Sequence, residues 1–356
     1  MASIYENRLS WTAPEHTHIS PYIWRKAEIE AEIARLLDAE QVAGRRSFRI
    51  SHPESGPEGG ASPGIGVVVS VLRPGESDAS HRHTFSVVNF IRDGHGHSII
   101  GGQRFDWGPG DTFTTPGWSH HQHFADPDSP PVVRFSFTDA PLFDKLNMCI
   151  YEEGEAVEGA PQLSGSNIDG GPTVYDGIQI DDSGAQMLTY KQMLAPKIVS
   201  NVPMIWKWDK VWDELGKMDN DSPEYAGRRV VLLYHPASGP SQGTTATLTA
   251  LPGLIVPGEQ HRIHRHSSAA ITYMRQGSGH SEIAGDRYEW EAGDMIIAPA
   301  WSTHGHTNDG DTTVLGITVH DVPLMYNLGA LLWQEVLSDN LEVLGKTGDL
   351  SAVAEG

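Results

Sequence analysis

One pattern of histidines occurs twice in this chain at a fixed offset of 183 residues. His81-Arg82-His83 and the later His121-Gln122-His123 are followed, one offset on, by His264-Arg265-His266 and His304-Gly305-His306. The punctuation around the histidines repeats with them. Gly75 matches Gly258, Gly94 matches Gly277, Gly110-Asp111 matches Gly293-Asp294, and Pro116 matches Pro299. Self-similarity at so long a period means one structural unit used twice. Two copies within 356 residues are tandem domains rather than a solenoid.

Each copy opens with a helical pattern, Trp24 to Ala39 in the first and the less regular Trp206 to Met218 in the second. In the first, Ile29, Ile33, Leu36 and Leu37 fall near helical spacing. Short runs rich in Val, Ile, Phe and Thr follow, separated by glycine-containing turns; Gly66–Val71, Phe85–Ile91, Ser98–Ile100, Asp111–Thr115 and Val132–Thr138 are the first-copy examples. Many short strands at regular spacing predict an all-β sandwich or barrel. The expected organisation is a first unit with a leading helix over 1–150, an acidic glycine-rich linker over 151–195, a second unit over 196–345 and a tail over 346–356.

A net charge of −21 opposes nucleic acid and anionic membrane as partners, because both are bound by clustered lysine and arginine. The single cysteine, Cys149, rules out an intrachain disulfide and a thiolate metal cluster. No apolar run approaches the length of a membrane span. Residues 1–6 lack the basic and apolar regions of a secretory signal, so a cytoplasmic location is expected.

In a strand, residues i and i+2 share a face. His81 with His83, and His264 with His266, therefore project together, as do His121 with His123 and His304 with His306. Three imidazoles on one side of an ion leave its other side open to water, substrate or dioxygen, as catalytic metal sites require. Imidazole suits zinc, copper, iron or nickel, and nitrogen ligands alone leave the choice open. The candidate metal ligands are His81, His83 and His121 in the first copy and His264, His266 and His304 in the second.

The motifs Gly75 to His83 with Gly110-Pro116-His121, and Gly258 to His266 with Gly293-Pro299-His304, resemble those of the cupin superfamily. The resemblance implies two tandem jelly-roll β-barrels, a bicupin, with short flanking helices. Many cupins carry a glutamate shortly after the His-X-His; Val87, Val88, Ala270 and Ile271 stand there instead. That absence resembles the gentisate 1,2-dioxygenase-like enzymes, which include salicylate and 1-hydroxy-2-naphthoate dioxygenases. So do Gly227-Arg228-Arg229, Pro257-Gly258-Glu259, Pro299-Ala300-Trp301, Asp321-Val322-Pro323-Leu324 and Pro21-Tyr22-Ile23-Trp24. The likeness covers about 20–145 and 200–335.

The resemblance implies an Fe(II)-dependent, extradiol-type ring-cleaving dioxygenase acting with O2 on a hydroxylated aromatic compound, assembled as a homodimer or homotetramer. It points to the second copy as the catalytic one. His306 would bond or deprotonate a phenolic hydroxyl, Asp321 would orient that network, and His123 would be the first copy's counterpart of His306. The family's carboxylate-gripping arginine is replaced by Asn89 and Thr272. Arg228 or Arg229 could take over that role, with Thr272 and Trp301 as further candidates for the substrate pocket. The alternative is a metal-binding bicupin that is not an oxygenase, an isomerase or a small-molecule binding protein, since one scaffold hosts many chemistries.

Overall fold

The computed structural model describes residues 19–56, 59–159, 178–179, 186–187, 202–218, 228–335 and 341–344. Most of the expected linker and the whole of the expected tail lie outside them. The described part is dominated by antiparallel strands in two similar units, each made of two sheets with a cavity between. The strands form jelly-roll sandwiches rather than fully closed barrels.

In the first unit one sheet runs, in spatial order, Thr112–Thr115, Val87–Asp93, Val132–Thr138, Gly66–Leu72 and Ser47–Ile50. The facing sheet runs Tyr151–Glu153, His81–His83, His121–Ala125, Gly96–Ile100 and Gln103–Trp107. The second unit repeats this plan with Met295–Ala298, Ala270–Gln276, Val314–His320, Thr249–Ile255 and Arg229–Val230 facing Asp286–Glu291, Ser278–Ile283, His304–Thr307, His264–His266 and Leu331–Glu335. Tyr151–Glu153, which reads in the sequence as the start of the linker, is therefore a strand beside the first histidine pair.

The strand Val132–Thr138 is buried along its whole length because it has two covered faces. Val133, Phe135 and Phe137 enter a core shared by both units, where the Phe135 and Tyr273 rings are 4.7 Å apart. The alternate residues, Arg134, Ser136 and Thr138, face the first cavity. Val314–His320 does the same: Leu315, Ile317 and Val319 join the shared core, and Gly316, Thr318 and His320 line the second cavity. Period-two alternation thus decides which side chains pack and which meet a ligand.

The helices are shorter than their patterns suggest, Lys26–Asp38 and Trp208–Leu215, because the residues before each pair as strands. These leading strands are exchanged. Tyr22–Trp24 extends the second unit's sheet beside Met295–Ala298, and Ile205–Trp206 extends the first unit's sheet beside Thr112–Thr115. The repeated Gly-Asp explains the exchange. Neither helix is capped by its own N-cap side chain. Asp294 Oδ1 instead accepts the Lys26 amide at 2.8 Å, and Asp111 Oδ1 accepts the Trp208 amide at 2.7 Å. Gly293 and Gly110 sit at φ 98° and 92°, where a Cβ would come within 2.6 Å of Lys26 and of Trp208 respectively. A carboxylate at a helix start bonds orphan amides and complements the helix dipole. Asp294→Ala is expected to lower stability by about 1–2 kcal/mol, read as an earlier denaturant midpoint; an unchanged midpoint would show that the cap carries no weight.

Candidate metal centres

The strands His81–His83 and His121–Ala125 meet at the pair His81 with His121, and His264–His266 meets His304–Thr307 at the pair His264 with His304. Ring centroids in those pairs are 4.2 Å and 4.4 Å apart, and the third ring of each set lies 4.8 Å (His83 to His121) and 4.9 Å (His266 to His304) away. In both sets the ligand nitrogens lie within 4.8 Å of one another, the neighbourhood of one ion whose bonds to imidazole are about 2.1 Å. Among the described residues no cysteine, carboxylate or fourth histidine joins either group.

The backbone selects which nitrogen faces the ion. Nδ1 of His81, His121, His264 and His304 bonds the carbonyl of the residue two before it, at 2.8–3.0 Å. Nδ1 of His83 and of His266 bonds the carbonyl of the residue two after it, at 2.8 Å and 2.9 Å. A carbonyl only accepts, so all six rings carry their proton on Nδ1 and turn the Nε2 lone pair toward the centre. His266 Nε2 is buried with no hydrogen-bond partner, as suits a nitrogen whose lone pair serves a metal. The donor set therefore fits a transition metal.

Burial is the first cause of depressed basicity in five of these rings. His81 and His83 are brought down to about 4, and His121, His264 and His266 fall well below the ordinary imidazole range; neighbouring imidazoles are the second cause for His83, His121, His264 and His266. These five imidazoles are neutral at neutral pH. In the metal-free protein this has a consequence for stability. Unfolded imidazoles take up protons near pH 6.5, whereas folded His81, His83 and His261 wait until about 4. Within that window the unfolded chain binds more protons, so each ring removes roughly 1.4 kcal/mol of stability per pH unit as pH falls. Asp321, raised by burial from 3.8 to about 6, acts with the opposite sign over the same range. Asp78 and Asp139 are raised by burial as well, but His121, His123, His264, His266, His306 and His320 are lowered alongside the first three rings, so the imidazoles outweigh the carboxyls. The thermal midpoint of metal-free protein is expected to fall between about pH 7 and about pH 5; a midpoint that rises on acidification would contradict neutral buried rings.

A cavity of about 340 Å³ opens beside the second triad. His306 lines it, with Nδ1 held at 2.7 Å from the Ser281 hydroxyl, which also accepts from Trp290 Nε1 at 2.8 Å. His123 has the same anchor in the first unit, Ser98 and Trp107. Thr272 lines the second cavity and hydrogen-bonds the Thr318 hydroxyl at 2.8 Å. Arg228 lines it too, with its guanidinium 5.9 Å from the Trp333 ring centroid and Nη2 donating to the Arg262 carbonyl.

Three of the candidate residues lie outside the lining of this cavity. Arg229 does not reach the cavity: it pairs with Glu259 at 2.8 Å and donates to the Met218 carbonyl. Trp301 does not line it either. Its φ of 64° places it at a tight turn whose amide donates to the His266 carbonyl at 2.6 Å, and Arg265 stacks on its ring. The turn repeats at Trp118, φ 65°, so the tryptophan's role is to fasten the turn to the ligand strand. Asp321 is outside the cavity. Its Oδ1 accepts the Ala269 amide at 2.7 Å and its carboxyl abuts Gly64 of the first unit, so it braces the segment after His266 at the contact between units.

His261 and His320 have no histidine counterpart in the first copy, and both line the second cavity. Desolvation is the first cause that depresses their basicity, to about 4 and about 3. Trp333 stacks on His264 and His266 at 4.8 Å and 5.0 Å, as Tyr151 stacks on His81 at 4.9 Å. The aromatic match of Tyr151 and Trp333 was the available signal for that wall.

A family model described as a cupin domain matches residues 68–136 and 254–320. The chain is 27% identical to a 1-hydroxy-2-naphthoate 1,2-dioxygenase of Nocardioides sp. (strain KP7), over 92% of this chain and 84% of that protein. It is 33% identical to a 5-nitrosalicylic acid 1,2-dioxygenase of Bradyrhizobium sp., over 39% of this chain and 70% of that protein. A salicylate 1,2-dioxygenase from Pseudaminobacter salicylatoxidans superposes with a TM-score of 0.71 at 20% identity, over 89% of this chain and 88% of that one. Among the described residues no helix is long and apolar enough to cross a membrane.

Proposed function

We propose that this chain, which belongs to the gentisate 1,2-dioxygenase-like family of bicupins, uses dioxygen to cleave the ring of a hydroxylated aromatic compound in its second jelly roll. The observation that carries the reading is the convergence of three backbone-oriented Nε2 lone pairs, from His264, His266 and His304, at the edge of a largely apolar cavity. Iron is the metal of the proposal: the relatives are named as dioxygenases, and zinc, which also suits this donor set, does no redox chemistry. When bound, a ferrous ion would supply vacant positions for a phenolic oxygen and for dioxygen, and a path for electrons between them.

The chain's own residues do the rest. Leu251, Ile255, Ala270, Met274 and Val314 give the cavity apolar walls that hold an aromatic ring and exclude water. His306, neutral and fixed through Nδ1 by Ser281, offers Nε2 to the phenolic proton. Arg228 and Thr272 supply the polar contacts that orient the ring's other substituents. Threonine stands where the family's arginine does, which leaves Arg228 as the one guanidinium among the described residues lining this cavity, and an uncharged phenol needs no more than these polar contacts. The homodimer or homotetramer typical of the family belongs to the same proposal and is read by sedimentation.

The test is oxygen uptake by Fe(II)-loaded protein offered gentisate, salicylate, 1-hydroxy-2-naphthoate and hydroquinone. Uptake with loss of the aromatic absorbance is expected, strongest for hydroquinone. Absence of uptake with every phenol would overturn the reading in favour of a metal-binding bicupin that is not an oxygenase.

A further inference from the structure

The two cavities share a plan but not a chemistry. In the first, of about 360 Å³, Arg134 projects from Val132–Thr138 among the residues that line it with His81, His83 and His121. Its guanidinium is buried, and its one ionic partner is Asp78, 3.3 Å from Nη2. Asp78 is itself engaged elsewhere, since Oδ1 accepts the His123 amide at 2.8 Å. Arg134 Nε is buried with no hydrogen-bond partner. In the second unit both members of this pair are replaced together: Gly316 stands in the place of Arg134 and His261 in the place of Asp78.

A guanidinium has five N–H donors in a planar fork, and taking it out of water costs several kcal/mol unless those donors are met. A single long bond to a carboxylate already shared with a backbone amide meets one of them. The remaining donors fit a planar two-oxygen acceptor from the cavity, which is the shape of a carboxylate. Arg45 lines the same cavity and adds positive charge. The rest of the wall is polar, with Asn89, Ser136 and Thr115 hydrogen-bonded to one another, and Phe85 and Tyr151 present ring faces next to the triad. The second cavity also has an arginine in its wall, Arg228, but no carboxylate among its described lining residues stands to Arg228 as Asp78 stands to Arg134.

We propose that the first jelly roll is a carboxylate-binding site anchored by Arg134, so that one chain recognises two ligand classes: an organic carboxylate in the first cavity and an uncharged phenol in the second. The second half of that statement rests on the function proposed above, and the first half does not.

The experiment is calorimetric titration of the metal-loaded chain, kept anaerobic, with benzoate and separately with phenol. Benzoate offers a carboxylate without a hydroxyl, and phenol the reverse. One benzoate site per chain is expected. The double variant D78N/R134Q leaves a neutral amide pair in place of the ion pair, avoiding a stranded buried carboxylate, and is expected to weaken benzoate at least tenfold with phenol unchanged. Arg134→Lys keeps the charge but loses the fork, and is expected to weaken benzoate to a lesser degree. Gly316→Leu, which fills the second cavity, is expected to abolish phenol binding and leave benzoate intact. Benzoate affinity unchanged in D78N/R134Q, benzoate lost in Gly316→Leu, or no benzoate binding to the unaltered chain would each overturn the carboxylate site. Benzoate bound normally while phenol fails to bind would contradict the reading of the second cavity and support that of the first.

Discussion

His266→Ala is expected to lower kcat/KM for ring cleavage by about a thousandfold or more, a loss of ~4 kcal/mol of transition-state stabilisation. The size follows from what the side chain supplies. Its Nδ1 is fixed by the Ser268 carbonyl and its Nε2 is buried with no hydrogen-bond partner, so alanine removes one of three ligands, and among the described residues no cysteine or carboxylate joins the group to replace it. The two triads lie in different cavities, so His83→Ala is expected to change turnover by less than about tenfold, as distant sites usually act independently. The measurement is oxygen consumption by each variant after identical Fe(II) loading. Loss of turnover in His83→Ala with turnover retained in His266→Ala would move the catalytic centre to the first jelly roll.

Phe135→Ala is expected to destabilise the whole molecule by about 3–5 kcal/mol, the usual range for emptying a large aromatic from a packed core. Phe135 is fully buried and its ring lies 4.7 Å from Tyr273 of the other unit, in a core that also takes in Phe137, Ile271, Met295 and Ile317. Because the larger sheets of both units contribute to that one core and the leading strands are exchanged between them, the loss is shared. Denaturant unfolding should show one transition displaced as a unit. Two resolved transitions, with only one of them moved by the substitution, would contradict a shared core.

The metal centres were legible because strand geometry converts spacing directly into position. His-X-His places two rings on one face, and the matched glycines and prolines fix where the next strand returns the third. The leading strands were not legible. Tyr22-Ile23-Trp24 pairs as well with the edge of either unit in principle, and its placement is decided by Asp294 and Gly293, far along the chain, receiving the following helix. Repetition itself misled at Trp301 and Arg229. Both recur in the first copy, and both recur because they build the fold: a left-handed turn in one case, an ion pair with Glu259 in the other. The reverse held for His261 and His320. Their counterparts are Asp78 and Thr138, so comparing the copies gave them no weight, although both line the second cavity. Arg134 was hidden in a run that reads simply as a buried strand, and only its two covered faces reveal that it lines the first cavity.

The central claim is that three imidazole nitrogens in each jelly roll close on one ion. It is tested most directly by counting metal in protein loaded anaerobically with Fe(II) and stripped of loosely held ion. The account predicts two irons per chain, falling to one when His266 alone is replaced by alanine and to one when His83 alone is replaced. A chain that retains no metal, or whose metal count is indifferent to both substitutions, would contradict it.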